Sequence, residues 1–316
     1  MTYRVLVSCI QMQRELSDYA DEFAKHDIDV VAPTVSQQLS EDELIGIMAD
    51  IDGVIAGDDF FTANVFDNAP KLRILSKWGI GTDAIDKDAA ASHGVRVTNT
   101  PGVFGDEVAD VAIGYVLMLA RGLHLIDRDV RAGGWLKIEG ETLAGKTLAV
   151  VGLGSIGRAA AVRGAALGMT VVGHDPFPAA QQTAAQLGVE VVDLDEAFRR
   201  GDYLVLCLPM SPENHHLVDA NRLALMKPTA RLVNVARGPL VDEAAIVGAL
   251  RSRSIAGAAL DVFEVEPLPA DSPLREFDNV ILGSHNGSNT REGVRRTSRL
   301  AFDNLLAGLG LSPVRA

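Results

Sequence analysis

Three residue types that together can move a proton beside a carboxylate stand at turns in the C-terminal half of this 316-residue chain. Arg237 follows the apolar run LVNVA and is followed at once by Gly238 and Pro239, which mark a turn. Glu266 lies in the loop EVEPLP, and His285 follows NVILGS. A histidine gives or takes a hydroxyl proton near neutral pH, a carboxylate beside it fixes its tautomer, and an arginine holds a carboxylate through a planar fork of donors. A fourth polar residue, Asp261, ends the run AGAAL. The other histidines read more plainly: His215 and His216 as a solvated segment, His26, His93 and His124 near helix ends or surfaces, and His174 as a packed neighbour of Asp175. Spacing alone does not bring Glu266 to His285. Ordinary loop charges in structural ion pairs remain the alternative.

Such residues act only if an ordered framework aims them, and the framework is announced by KTLAVVGLGSIGRAAAVRGAALGMTVVGHDP, Lys146 to Pro176. The β-branched run Thr147 to Val151 leads into Gly152, Leu153, Gly154, Ser155, Ile156 and Gly157, a complete G-x-G-x-x-G, and a helical pattern follows to Leu167. The first glycine allows the tight turn, the second lets backbone approach a pyrophosphate, and the third lets the helix pack against the strand. The helix N-terminus offers N–H groups, including those of Ser155 and Ile156, to the phosphates. A second apolar run, Met169 to Gly173, ends near Asp175, whose carboxylate suits an adenosine ribose diol. No cation follows in PFPAAQQ, so NAD is expected over NADP. With a nicotinamide present, the Arg–Glu–His set suits hydride transfer from an alcohol that carries a carboxylate.

The chain is too long for one compact domain, and two are expected. With 29 Lys and Arg against 42 Asp and Glu, the formal charge of −13 argues against nucleic-acid partners, and no metal is expected. MTYRVLVSCI lacks the features of a signal peptide, no stretch reaches membrane-span length, and Cys9 and Cys207 read as reduced core residues. A cytoplasmic location is the expectation.

The first hundred residues alternate strand and helix, with strands at Arg4 to Ser8, Asp29 to Val31, Gly53 to Ala56, Arg73 to Ser76 and Arg96 to Thr98. A helix is expected over Arg14 to Lys25, and Ser40 with Glu43 forms a capping box for another. TNTPGVFG breaks the rhythm before a helix from Asp106 to about Gly122, and Ala132 to Gly145 reads as a loop. Strands at Glu190 to Val192, Tyr203 to Leu208, Arg231 to Val235, Ile255 to Leu260 and Val280 to Leu282 complete a seven-strand set, with a final helix over Thr290 to Leu309. The fold class is α/β: a Rossmann doubly wound parallel sheet with a second, smaller flavodoxin-like α/β domain.

GLGSIGR with HDP, then CLPMSPEN, NVARGPLVDE, ALDVFEVEPLP and SHNGS, joined by SKWGIGTDAID and VTNTPGVFGDEVAD, resemble the D-specific 2-hydroxyacid dehydrogenases over nearly the whole chain. That family includes phosphoglycerate dehydrogenase and glyoxylate and hydroxypyruvate reductases. The resemblance implies that Arg237 holds the substrate carboxylate and carbonyl, Glu266 supports the base and His285 exchanges the proton. It places the backbone of Ile80 and Gly81 on the carboxylate and Asp261 on the nicotinamide amide. Pro176, Cys207, Pro209, Asn214, Val235, Ala236 and Gly287 are implied as further cofactor contacts. It also implies a substrate domain from 1–100 plus 285–316 over an NAD-binding domain at 101–284, with catalysis in the cleft and dimers formed through the helix after Pro101 and the Ala132 to Glu141 loop.

Departures from the family pattern matter for the substrate. Ser284 stands where Pro usually precedes the catalytic His, and Cys207 where His is usual. AGDDFFT carries Asp58 and Asp59 where phosphoglycerate dehydrogenases often have Arg-Ser, and two acids would repel a phosphate. Lys77 and Trp78 either shape an alternative substrate pocket or are a strand edge with a packed ring. The sequence ends soon after the last helix, so the serine-sensing domain of longer phosphoglycerate dehydrogenases is expected to be absent. Formate dehydrogenase is disfavoured, since it carries Gln where Glu266 stands. The rival reading on the same fold is an NAD(H)-sensing interaction protein, as in the family's corepressors, which can retain the catalytic trio.

Overall fold

The computed structural model describes residues 2–312, and the chain divides into two compact units. One takes the chain up to Val103 and resumes at Asn289; the other runs from Phe104 to Ser288. The crossings thus fall a few residues beyond the expected 100/101 and 284/285 positions, and His285 and Gly287 lie in the second unit.

The first unit holds five strands: β1 (Tyr3–Val7), β2 (Ile28–Val31), β3 (Gly53–Ala56), β4 (Ile74–Lys77) and β5 (Arg96–Thr98). All pair in parallel, in the order β2-β1-β3-β4-β5. Every residue of β3 and β4 is buried, as expected of a parallel sheet covered on both faces. One face packs Leu6, Leu44, Met48, Val54, Phe66 and Leu75. The final helix, Arg291–Gly308, belongs to this unit and buries Phe302, Leu305 and Leu306, with the Phe302 ring edge-on to Phe23 at 4.9 Å. Ser40 and Glu43 form the expected capping box: the Glu43 N–H donates to Ser40 Oγ, and the Ser40 N–H to Glu43 Oε2 at 2.8 Å. The helix expected over Arg14 to Lys25 is found at Leu16–Lys25, and a short helix that was not expected, Ile10–Arg14, precedes it, the two broken at Glu15, whose ψ of 3° leaves the helical range.

The second unit holds β6 (Thr147–Val151), β7 (Thr170–His174), β8 (Glu190–Val191), β9 (Tyr203–Leu206), β10 (Arg231–Asn234), β11 (Gly257–Leu260) and β12 (Val280–Leu282). Their order is β12-β11-β10-β9-β6-β7-β8, again all parallel. This is the doubly wound arrangement, with its switch point between β6 and β9, where a ligand is held at the carboxyl ends of the strands. The helix Gly105–Arg121 packs on the helix Ser155–Ala166 and ends at Gly122, whose φ of 62° suits glycine. A further helix, Leu123–Arg131, follows where none was expected. No single helix among the described residues is long and apolar enough to cross a membrane.

Candidate active site

The glycine turn sits at the end of β6, beside the end of β9. Gly152 has φ 95°, and a Cβ there would lie 2.6 Å from the Cys207 carbonyl carbon, so neither a side chain nor an ordinary backbone is tolerated. A Cβ on Gly157 would lie 1.9 Å from Gly152 O. Gly154, the N-cap of the Ser155–Ala166 helix, differs: a Cβ built there has no heavy atom within 4 Å. Bare backbone therefore borders open space at a helix N-terminus, the environment a pyrophosphate requires. Asp175 is 7% exposed, with Oδ2 accepting the Leu153 N–H at 2.8 Å and Oδ1 the Phe177 N–H at 2.9 Å. The acid is thus tied to the turn itself, and each oxygen keeps a lone pair for a ribose hydroxyl. The residues present fit a dinucleotide.

Pro209 and Asn214 are brought together, the Asn214 amide donating to Pro209 O at 2.9 Å, while Cys207 is half-buried and Pro176 exposed. At the end of β10, fully buried Asn234 does what sequence reading missed. Its Oδ1 accepts the Ala236 N–H at 3.1 Å and its Nδ2 donates to Arg237 O at 2.8 Å, which fixes the Val235–Arg237 turn and aims the arginine. Its position within the strand run LVNV, where an amide must find partners, is the signal that could have found it. Gly238 is pressed on the other side, because a Cβ there would lie 1.9 Å from the Phe263 carbonyl carbon. The Arg237 turn and the Val262–Glu266 loop are therefore packed backbone to backbone.

His285 Nδ1 lies 2.7 Å from Glu266 Oε2, and Glu266 Oε1 accepts the Phe263 N–H at 2.9 Å. The carboxylate is held by backbone and holds the imidazole. The His285 backbone takes φ 52°, in the left-handed region, and its N–H donates to Asp261 O at 2.6 Å. A non-glycine residue there costs about 1–3 kcal/mol, which the surrounding contacts must offset. Asp261 is 2% exposed; Oδ2 accepts the Gly287 N–H at 3.0 Å and Oδ1 the Tyr115 hydroxyl at 2.9 Å. Burial, then the Asp261 charge and hydrogen bond, push the Tyr115 hydroxyl pKa well up, so it stays a donor.

In the first unit Lys77 ends β4 and is 6% exposed, its Nζ donating to Asp58 Oδ1 at 3.0 Å and to Trp78 O at 2.9 Å. The Trp78 ring is buried, with Nε1 donating to Ser298 Oγ at 3.1 Å. The supposed repulsion by two acids needs revising. Asp58 is paired with Lys77, and Asp59, 1% exposed, accepts from the Ser8 hydroxyl, the Leu39 N–H at 2.7 Å and the Gly57 N–H at 3.2 Å. Asp59 is a loop organiser. The Gly79–Gly81 loop is tethered by residues not singled out from sequence: the Gly79 N–H donates to Thr100 Oγ1 at 2.9 Å, and Asn99 Nδ2 to Ile80 O at 2.7 Å. Among the described residues one group, His216, Asp242 and Glu264, brings potential metal-ligand atoms within 4.8 Å of one another. Its atoms already serve one another and the fold: His216 Nε2 meets Glu264 Oε1 at 2.8 Å, and Asp242 caps the helix Glu243–Ser252.

Comparison with known proteins agrees with this geometry. The family model described as D-isomer specific 2-hydroxyacid dehydrogenase, NAD binding domain, matches residues 113–287. A glyoxylate reductase of Thermofilum pendens is 40% identical over 277 residues, covering 85% of this chain and 82% of the relative. A D-3-phosphoglycerate dehydrogenase of Methanocaldococcus jannaschii is 37% identical over 275 residues, 86% of this chain but 52% of that longer relative. Among solved structures, the TT0316 protein of Thermus thermophilus superposes with a TM-score of 0.85 at 34% identity, covering 99% of each chain. With its doubly wound sheet, its glycine turn tied to Asp175 and a family match over more than half its length, this chain belongs to the D-isomer specific 2-hydroxyacid dehydrogenases and is an NAD-dependent oxidoreductase.

Proposed function

We propose that this enzyme reduces a small 2-oxo acid and oxidises the matching D-2-hydroxy acid, with glyoxylate or hydroxypyruvate the favoured substrate and phosphoglycerate the alternative. The observation that carries the proposal is the 2.7 Å contact between His285 Nδ1 and Glu266, backed by the Phe263 N–H. Bound nicotinamide supplies the hydride in reduction and accepts it in oxidation. His285, with Nδ1 committed to Glu266, gives the proton from Nε2 to the substrate oxygen as C2 is reduced and takes it back in the reverse direction. Arg237, aimed by Asn234, grips the carboxylate and polarises the carbonyl, and the N–H groups of Ile80 and Gly81 are assigned to the carboxylate as well. Asp261 orients the nicotinamide amide. Gly152, Gly154, Ser155, Ile156 and Gly157 take the pyrophosphate, and Pro176, Cys207, Pro209, Asn214, Val235, Ala236 and Gly287 complete the cofactor surface. Lys77 directs its charge at Asp58, which favours an unphosphorylated acid over phosphoglycerate.

The same reading takes the unit that runs up to Val103 and resumes at Asn289 as the substrate domain, and the protein as a cytoplasmic homodimer without nucleic-acid or membrane partners. Exposed Leu123, Val130, Trp135 and Leu136 support a pairing surface on the Leu123–Arg131 helix and the loop after it. The sensor reading is weaker, because the relatives found are named as reductases and dehydrogenases. The test is Arg237→Ala assayed by NADH oxidation over a panel of 2-oxo acids. Turnover should fall about 10²–10³-fold with NADH affinity nearly intact. Equal loss of both would remove the assigned role, and a wild-type protein that binds NADH tightly yet turns over no 2-oxo acid would favour the sensor.

A further inference from the structure

We infer that the first unit carries a binding site for a small di- or trianion, lined by none of the residues assigned to catalysis, where the start of the last helix meets the segment after β1. A pocket of about 340 Å³, open to solvent, is lined there by the exposed Arg14, Arg291 and Arg295, with Gln11, Glu15 and Thr290. That volume suits a small metabolite. Among the described residues none of the three arginines makes an ion pair, a hydrogen bond through its side chain or a ring contact. This happens in a chain whose acids outnumber its Lys and Arg by 13, where most surface guanidinium groups could find a carboxylate.

Their placement is also unfavourable for the fold taken alone. Arg291 is the first residue of an 18-residue helix and Arg295 lies one turn on, so both cations sit at the positive end of the helix dipole. The two are like charges at i and i+4, which repel across one turn. Glu292 in that first turn offsets part of the cost, and Glu15, whose Oε2 is buried with no partner, is the one carboxylate lining the cavity. A ligand with two or three oxyanion charges would reverse both penalties at once, because it would meet the guanidinium forks and the helix terminus together. Phosphate esters and small polycarboxylates share this chemistry.

Calorimetric titration of the NADH-saturated protein at fixed ionic strength, with inorganic phosphate in one arm and succinate in the other, tests the site. NADH keeps the anions from the pyrophosphate position. Saturable binding is expected in at least one arm, and the arm that binds names the ligand class. The double variant Arg291→Ala/Arg295→Ala should weaken that binding at least ~10-fold, since charge-assisted contacts are lost. Arg14→Ala, on a different segment, should weaken it too and covers the case in which the double variant misfolds. Arg253→Ala, whose side chain lies outside this cavity, should leave it unchanged. No saturable binding in either arm, binding unaffected by the cavity variants, or anion displaced by saturating 2-oxo acid would each overturn the inference; the last would place the anion in the catalytic site. Turnover of the 2-oxo acid is read separately, so this inference can fail while the catalytic proposal stands.

Discussion

Beside the Val262–Glu266 loop, Glu243 carries a charge the fold does not favour. Burial pushes its carboxyl pKa up, the Glu264 N–H that donates to Oε1 at 2.8 Å pulls it partly back, and the charges of Glu264 and Glu266 add to the rise. Its folded pKa therefore lies above the unfolded one. Stability from this group is fully present below the unfolded pKa and lost as pH rises through the folded value. Glu243→Gln keeps the Oε1 acceptor and removes the charge, so it should raise the melting temperature at pH 7.5 by a degree or two, with the difference vanishing near pH 4 (~0.5 kcal/mol or less, solvent screening included). A variant that melts lower at pH 7.5 would contradict this electrostatic account. Single residues were legible in the sequence where their role is local. Asp175 follows its strand and the Ser40–Glu43 box spans one turn. Lys77, Asp58 and Asp59 were not legible, because their partners come from other segments of the chain: Ser8 and Leu39 for Asp59, Asp58 for Lys77. Asn234 was hidden by its apolar neighbours.

At the scale of elements, the strand-turn-helix from β6 to the Ser155–Ala166 helix is held by close approach. Gly157→Ala would drive a Cβ into Gly152 O, a backbone atom that cannot swing aside, at 1.9 Å. The helix must shift, at a cost of about 1–3 kcal/mol, and carry its N-terminus away from the pyrophosphate position. NADH affinity should fall at least ~10-fold by fluorescence titration, a loss unlike that of Arg237→Ala. Unchanged affinity would mean the turn relaxes without cost. Both sheets were legible as alternating patterns, with strand ends off by a residue or two, since hydrogen-bonded pairing and not apolar run length decides where a ladder stops. The helix Ile10–Arg14 and the break at Glu15 were not legible, because Cys9 offers no side-chain cap and neither glycine nor proline stands at the break. The Leu123–Arg131 helix was masked by Gly122, which ends one helix and begins the next.

For the whole molecule, Trp135 is 79% exposed and follows a helix with no buried residue, although that helix carries Leu123 and Val130. A surface of this kind in a monomer would be unusual. Trp135→Asp should convert a dimer to a monomer in sedimentation velocity, and a monomeric wild type would end the proposal. The seven-strand sheet was legible as a whole because its strands come from one continuous stretch. The anion cavity was not, since Gln11 to Glu15 and Thr290 to Arg295 are separated by most of the chain. The last helix, finally, is locked onto the first sheet by missing side chains: a Cβ on Gly53 would lie 2.7 Å from Leu305 Cδ1, and one on Gly308 2.4 Å from Ile74. In terms of gene exchange, the first unit can be traded between relatives only as a split cassette. A single crossover near Val103 would set a new β3 and β4 against an old helix whose bumps and hollows were cut for other strands, so recombination that swaps this unit must cut twice.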